Sequence, residues 1–347
     1  MTNTRRALRV LIVDDSAVAR QVLSAVLSAA GMDVKVAPDA LFALAKLERW
    51  EPDVLVLDLE MPRMDGLTFL ERLREHRSIP VVICSGTTDG RGAKAIQALE
   101  QGAVEVVTKP KTAVREFLFE SSVMLVDAVI AAAATCRAPR RPRVSMTASQ
   151  MPAPARRGRL ERRLLALGAS TGGPEAIRVI LSELPAETPP VLVVQHMPAG
   201  FTRAFAGMLD KQCAIEVREA VGGDLLRPGL ALIAPGGKHL SVKSVSGQLI
   251  AEVATGALVS RHRPSVDVLF ESVAQQVGGR AVAALLTGMG DDGARGLHSL
   301  RAAGAATLAQ DEATSVVFGM PKAAIDCGAA EDVVALEDMC RALLSRL

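Results

Sequence analysis

Six short runs of uninterrupted apolar residues constrain this chain more than any other feature. They are Val10 to Val13, Val54 to Leu57, Val81 to Cys84, Leu164 to Leu167, Val191 to Val194 and Ala281 to Leu286. A strand with one wet face alternates apolar and polar residues, whereas a strand covered on both faces stays apolar throughout. None of these runs approaches the ~18–20 residues that span a bilayer. Weaker strand patterns lie at Val34-Lys35-Val36, Val104 to Val107 and Ala305 to Ala309. Between the strands are segments of helical period: Ala17 to Ala30 and Ala93 to Gln101, each stopped by glycine, Ala40 to Leu47, Gly66 to Arg74, and a last one from about Ala113 to Ala134. Alternation of this kind builds an α/β fold, with parallel strands and helices on both faces.

At 347 residues the length suits two domains. The break lies in the stretch from Arg137 to Arg163, where nine arginines and four prolines face a single acid, Glu161, and apolar periodicity is lost. Such a stretch reads as a solvated basic linker. No aromatic residue accompanies its charge, and the chain has no tyrosine and only 3% aromatics, so base stacking is not available as a recognition mode. Lys and Arg (40) nearly balance Asp and Glu (38), which implies no nucleic-acid partner. Five scattered cysteines without C-x-x-C spacing read as reduced thiols. No signal-peptide pattern opens the chain. The expectation is a cytoplasmic monomer that meets a membrane only through its partners.

In the first half, polar residues gather just beyond strand ends: Asp14 and Asp15, then Asp58, Ser85 and Lys109. In open α/β sheets that edge binds ligands. Carboxylates gathered there call for a cation, and oxygen ligands suit Mg²⁺. A carboxylate can also attack a phosphoryl group to form an acyl phosphate. The pieces Val13-Asp14-Asp15-Ser16, Asp58-Leu59-Glu60-Met61-Pro62, Asp65-Gly66, Ser85 and Lys109-Pro110 resemble the response-regulator receiver domain. The resemblance implies a five-stranded (βα)5 receiver. Asp58 would take a phosphoryl group from a histidine kinase. Mg²⁺ would be held by Asp14, Asp15, Asp58 and the Glu60 backbone carbonyl, with Ser85 and Lys109 reading the phosphoryl group. One position departs from the family: Val106 stands where receivers usually carry an aromatic switch residue.

The second half opens with Gly168-Ala169-Ser170-Thr171-Gly172, which fits the G-x-S-x-G turn that presents a nucleophilic serine at a sheet edge. His196 follows a second apolar strand, and Asp291 and Asp292 follow a third. Strand ends converge in a parallel sheet, so these residues can meet. A histidine base and an orienting aspartate are what a serine nucleophile needs. The Thr171 N–H and the glycine-flanked Met289 N–H could face an oxyanion. The residues alone leave Asp291 and Asp292 equal, and His239 rivals His196, with His262 and His298 weaker. Asp311 reads as a capping residue. The order Ser, His, Asp differs from that of α/β-hydrolases.

Four ordered motifs resemble the CheB-type protein-glutamate methylesterase domain: Gly168 to Gly173, Gln195-His196-Met197-Pro198, Ala234 to His239, and Leu286 to Gly290 with Asp292-Gly293-Ala294. Pro264-Ser265-Val266-Asp267 matches as well. The resemblance implies a triad of Ser170, His196 and Asp292, no catalytic cofactor, and methylated chemoreceptors as substrate, with glutamine deamidation as a companion activity. The expected layout is a receiver at 7–128, a linker at 129–160 and a catalytic domain at 161–347, the last a mostly parallel, doubly wound sheet with short antiparallel strands. Asp58 phosphorylation would relieve receiver obstruction of Ser170. The rival readings are a non-catalytic scaffold switched by phosphorylation, and a DNA-binding regulator, for which no helix-turn-helix pattern is present.

Overall fold

The computed structural model describes residues 6–86, 91–109, 115–135 and 164–347. They form two compact units, Met1–Pro139 and Arg140–Leu347.

The first unit runs β1 (Arg9–Val13), α1 (Ala17–Ala29), β2 (Asp33–Ala37), α2 (Ala40–Leu47), β3 (Val54–Leu57), α3 (Gly66–His76), β4 (Val81–Ser85), α4 (Arg91–Glu100), β5 (Glu105–Thr108) and α5 (Arg115–Thr135). All pairings are parallel, in the order β2-β1-β3-β4-β5. Register places the polar edge. Val13 pairs with Leu57, so Asp14 and Asp58 leave the sheet side by side, and the Asp58 N–H donates to the Val13 carbonyl at 2.9 Å. Ser85 pairs with Thr108, so Lys109 emerges beside Ser85. Ser16 and Asp65 cap α1 and α3 by accepting the N–H groups of Ala19 and Thr68.

The expected boundary at 128 falls inside α5. That helix continues to Thr135, and Val129 and Ala132 are fully buried in the same core as Val10, Ile12 and Val82. An apolar stripe ends where burial ends, so residues 129–135 belong to the first unit rather than to a linker. The whole basic stretch, Arg137 to Arg163, lies outside the described residues.

The second unit runs β6 (Leu164–Ala169), α6 (Gly173–Glu183), β7 (Val191–Gln195), α7 (Thr202–Asp210), β8 (Glu216–Glu219), β9 (Asp224–Leu225), β10 (Leu230–Ile233), β11 (His239–Val245), β12 (Gln248–Ala254), α8 (Val266–Gln276), β13 (Ala281–Leu285), α9 (Ala294–Ala302), β14 (Ala306–Gln310), α10 (Met320–Asp326), β15 (Asp332–Val334) and α11 (Leu336–Ser345). Seven strands make one parallel sheet, ordered β15-β14-β13-β6-β7-β10-β8. The short strands β8 and β10 join it in parallel, and only β11, β12 and β9 form the antiparallel sheet. The fully buried β6 lies between β7 and β13, where the chain turns from building one side of the sheet to building the other. Ligands bind at such a switch point in doubly wound sheets. Gly168 is obligatory on β6, because a methyl group there would overlap the Val266 side chain.

Candidate active site

The three central strand ends are laced together. The Ser170 N–H donates to the Thr287 carbonyl at 3.0 Å, the His196 N–H to the Ala169 carbonyl at 3.0 Å, and the Leu286 N–H to the Gly168 carbonyl at 2.8 Å. The fully buried Gln195 adds a cross-link, its amide donating to the Ser170 carbonyl at 2.9 Å and to that of His196 at 3.1 Å. Gln195 stands in the sequence only as the first residue of the Gln195-His196-Met197-Pro198 motif, and nothing there marks this cross-linking role.

The Ser170 turn differs from the strained elbow of α/β-hydrolases. The left-handed residue is Gly172 (φ 77°), two positions after the serine, and α6 starts at Gly173. Ser170 is nearly buried. Thr171 and Met289 flank it from the ends of β6 and β13. Among the described residues neither N–H has an acceptor, which suits both to an oxyanion.

His196 and Asp292 meet through Nε2 and Oδ2 at 2.8 Å, both buried. The other ring nitrogen, Nδ1, is buried with no hydrogen-bond partner. Asp292 accepts three further bonds: Oδ1 takes the Ser265 hydroxyl at 2.7 Å and the Asp267 N–H at 3.2 Å, and Oδ2 takes the Val266 N–H at 2.7 Å. Val266 and Asp267 open α8, so Asp292 caps that helix from another element, facing the positive end of its dipole. Burial alone would raise its pKa. The bonds from His196, Ser265 and Val266 outweigh burial and hold the carboxyl below the ordinary aspartate range.

Asp267 returns the arrangement. Its Oδ1 accepts the N–H groups of Gly293 at 3.0 Å and Gly296 at 2.8 Å, which open α9. Two buried aspartates thus cap each other's neighbouring helices and fix the loop that carries Asp292. Burial pushes Asp267 above the usual range.

This geometry separates residues that the sequence left level. Asp291 is exposed, while Asp292 is buried on His196. His239 bonds the Ala257 carbonyl through Nε2 at 2.9 Å and accepts the Ser265 N–H at Nδ1, so it braces the α8 entry and does not meet Asp292. His298 is exposed, and Asp311 accepts the Thr314 N–H at 3.0 Å in its own turn. His262 lies on His196, with ring centroids 3.8 Å apart and planes 7° from parallel. His196, His262 and Asp292 could be taken for a metal trio. Stacked rings, however, direct their in-plane lone pairs along parallel planes, and the Asp292 oxygens already serve four donors.

At the other sheet edge, Lys109 Nζ lies 2.7 Å from Asp14 Oδ2 and 2.7 Å from Asp58 Oδ2. Carboxylate oxygens of Asp14, Asp15 and Asp58 all lie within 4.8 Å of one another. Burial first, and the neighbouring Asp14, raise the Asp58 pKa against the pull of Lys109. Burial would lower Lys109, but its two ion pairs raise it. Ser85 is buried at the end of β4, and Val106 is buried in β5. Gly66 is needed because a methyl group there would strike the Asp58 and Leu59 backbone.

Comparison with known proteins assigns a family to each of the two units. A family model described as CheB methylesterase matches residues 165–343, and one described as response regulator receiver domain matches 10–117. A protein-glutamate methylesterase/protein-glutamine glutaminase of Anaeromyxobacter dehalogenans is 53% identical over 97% of this chain and 98% of its own. One from Chromobacterium violaceum is 48% identical, covering 96% and 98%. The solved catalytic domain of Thermotoga maritima CheB methylesterase matches with TM-score 0.52 at 36% identity, covering 53% of this chain and 98% of that one. Among the described residues no helix is long and apolar enough to cross a membrane. Over nearly its whole length, with a receiver at one end and a serine site at the other, the chain belongs to the CheB family of protein-glutamate methylesterases/protein-glutamine glutaminases.

Proposed function

We propose that Ser170, His196 and Asp292 carry the family's hydrolysis and that Asp58 controls it. The observation that carries this reading is the buried 2.8 Å bond from His196 Nε2 to Asp292, which leaves Nδ1 as the free base at the strand end beside Ser170. Nδ1 takes the Ser170 proton as Oγ attacks the γ-carbonyl carbon of a glutamyl methyl ester. The oxyanion faces the N–H groups of Thr171 and Met289. Collapse breaks the C–O bond to the methoxy group, which leaves as methanol with the Nδ1 proton. Water, deprotonated by Nδ1, then attacks the acyl-serine, releasing a glutamate carboxylate and restoring Ser170. Glutamine follows the same course with ammonia leaving. The substrate is a methylated chemoreceptor cytoplasmic segment.

In the receiver, an Asp58 carboxylate oxygen attacks the phosphorus of a kinase phosphohistidine; the P–N bond breaks, the kinase imidazole leaves, and Asp58 becomes an acyl phosphate whose oxygens Ser85 and Lys109 bind. The donor set fits Mg²⁺: three carboxylates cluster, and Lys109 offsets only one of their charges. Asp14, Asp15, Asp58 and the Glu60 carbonyl would hold the ion, which neutralises phosphoryl oxygens when bound.

The test is methanol release from a methylated receptor fragment, with and without acetyl phosphate. The full chain should turn over faster with the phosphodonor, and Ser170→Ala should lose about four or more orders of magnitude in turnover. Unchanged turnover in Ser170→Ala would leave the phospho-switched scaffold as the better reading.

A further inference from the structure

His262 is absent from the reaction just described, yet it is the side chain laid flat on the base. Its place is tightly built. Ser260 and Arg261 both have left-handed backbones (φ 49° and 67°) and form a two-residue turn whose flanks, Val259 and His262, exchange both backbone hydrogen bonds, at 3.2 and 2.9 Å. His262 Nδ1 meets the Ser260 carbonyl at 2.7 Å, so that nitrogen carries the proton. The Ser260 hydroxyl donates to Asp267 Oδ2 at 3.1 Å, tying the turn to the aspartate that fixes the Asp292 loop.

The base itself is held by one ring bond, Nε2 to Asp292. A histidine χ2 torsion is broad, and a single bond at one edge leaves the ring free to swing about it. Such a swing would move Nδ1, the nitrogen that the triad reading pairs with Ser170. A flat partner stacked at 3.8 Å supplies the second constraint. The groups facing His262 are His196, Asp292, Arg261 and the Ser260 carbonyl. Burial first, then His196, hold its pKa down at about 3, so it stays neutral when the neighbouring ring gains a proton. An uncharged π face beside an imidazolium is attractive, whereas a second cation would be repulsive.

We propose that His262 is the positioning residue of the triad, its ring fixing the rotation of His196 about the hydrogen bond to Asp292. This rests on the triad reading above. Three substitutions in the full chain separate the stack from other roles. His262→Phe keeps a flat face and loses both ring nitrogens. His262→Gln can keep a hydrogen bond to the Ser260 carbonyl and loses the ring. His262→Ala loses both. Steady-state methanol release should show kcat in His262→Ala and His262→Gln reduced on the order of 10²-fold, the scale of a small misplacement of a reacting group. KM should move less than about threefold, because no substrate contact is removed. His262→Phe should restore kcat to within about fivefold of wild type, well inside that loss. Rescue by Gln and not Phe would overturn the proposal, as would wild-type kcat in His262→Ala. If Ala unfolds at the assay temperature, the Phe and Gln pair still decides. An active Ser170→Ala would instead refute the triad itself, whatever the His262 variants show.

Discussion

Replacing Asp292 by asparagine tests the site most severely, because each of its two oxygens serves two donors. Oδ2 accepts from His196 and Val266, and Oδ1 from Ser265 and Asp267. An amide has one oxygen, so its NH₂ must face one of those pairs. If it faces Ser265 and Asp267, two donors lose their acceptor, at ~1–3 kcal/mol each and ~2–6 kcal/mol together. If it faces His196, Nε2 must become an acceptor, the proton moves to Nδ1, and the ring can no longer take a proton from Ser170. Either way the negative charge opposite the developing imidazolium is gone. The wrong tautomer costs about 10⁴ in kcat in a serine protease, equivalent to ~5.5 kcal/mol of barrier. The assay is methanol release per folded molecule, with the folded fraction read by circular dichroism at the same temperature. Asp291→Asn is the control, since that side chain is exposed and should leave kcat unchanged. An Asp292→Asn enzyme within about tenfold of wild type, against the ~10⁴ expected, would refute the reasoning.

Three further outcomes follow from the geometry. Millimolar Mg²⁺ should raise the thermal midpoint of the receiver by binding linkage. A protonated carboxylate does not ligate, and the Asp58 pKa is raised, so this gain should fade on acidification at a higher pH than an ordinary aspartate would dictate. Scanning calorimetry at several pH values checks both. Gly288→Ala should lower kcat far more than stability, because the added methyl would press on the Ser170 Cβ and on Met320, and kcat with Ser170 reactivity toward a fluorophosphonate reads the effect. A receiver fragment cut after residue 128 should be less stable in urea than one ending at 139 by at least ~1.5–3 kcal/mol, the worth of burying one valine, since it lacks Val129 as well as Ala132.

Much of this was legible in the sequence because strand burial and strand ends leave local marks. Continuous apolar runs placed the central strands, and a polar residue after each run placed both edges, including Ser170, His196 and Asp58. What stayed illegible depends on pairing between distant segments. Asp291 and Asp292 are adjacent and chemically equal, and only the approach of α8 decides which is buried. His262 and Gln195 reveal nothing locally, because a stack and a carbonyl cross-link are made with residues far along the chain. The end of α5 was legible to within a residue, but the domain boundary set at 128 cut through it, because only the core that covers Val129 and Ala132 assigns that last stretch to the first unit. The strand β15 carried too little pattern, being three residues at a sheet edge.

The position of β6 in the sheet also sets an order of events during folding. β7 follows β6 closely and can pair with it early, as a nearby βαβ partner. Its other neighbour is β13, so Leu164 must wait for Ala281. Closing so long a loop is entropically slow, and contacts distant in sequence govern the rate at which such sheets form. Asp292, Met289 and the cap of α8 all arrive with β13. In a chain still emerging from synthesis the strand ends that carry Ser170 and His196 can therefore pair before Asp292 reaches them, and the triad proposed above predicts that hydrolytic competence comes only when the second half of the sheet closes onto the first.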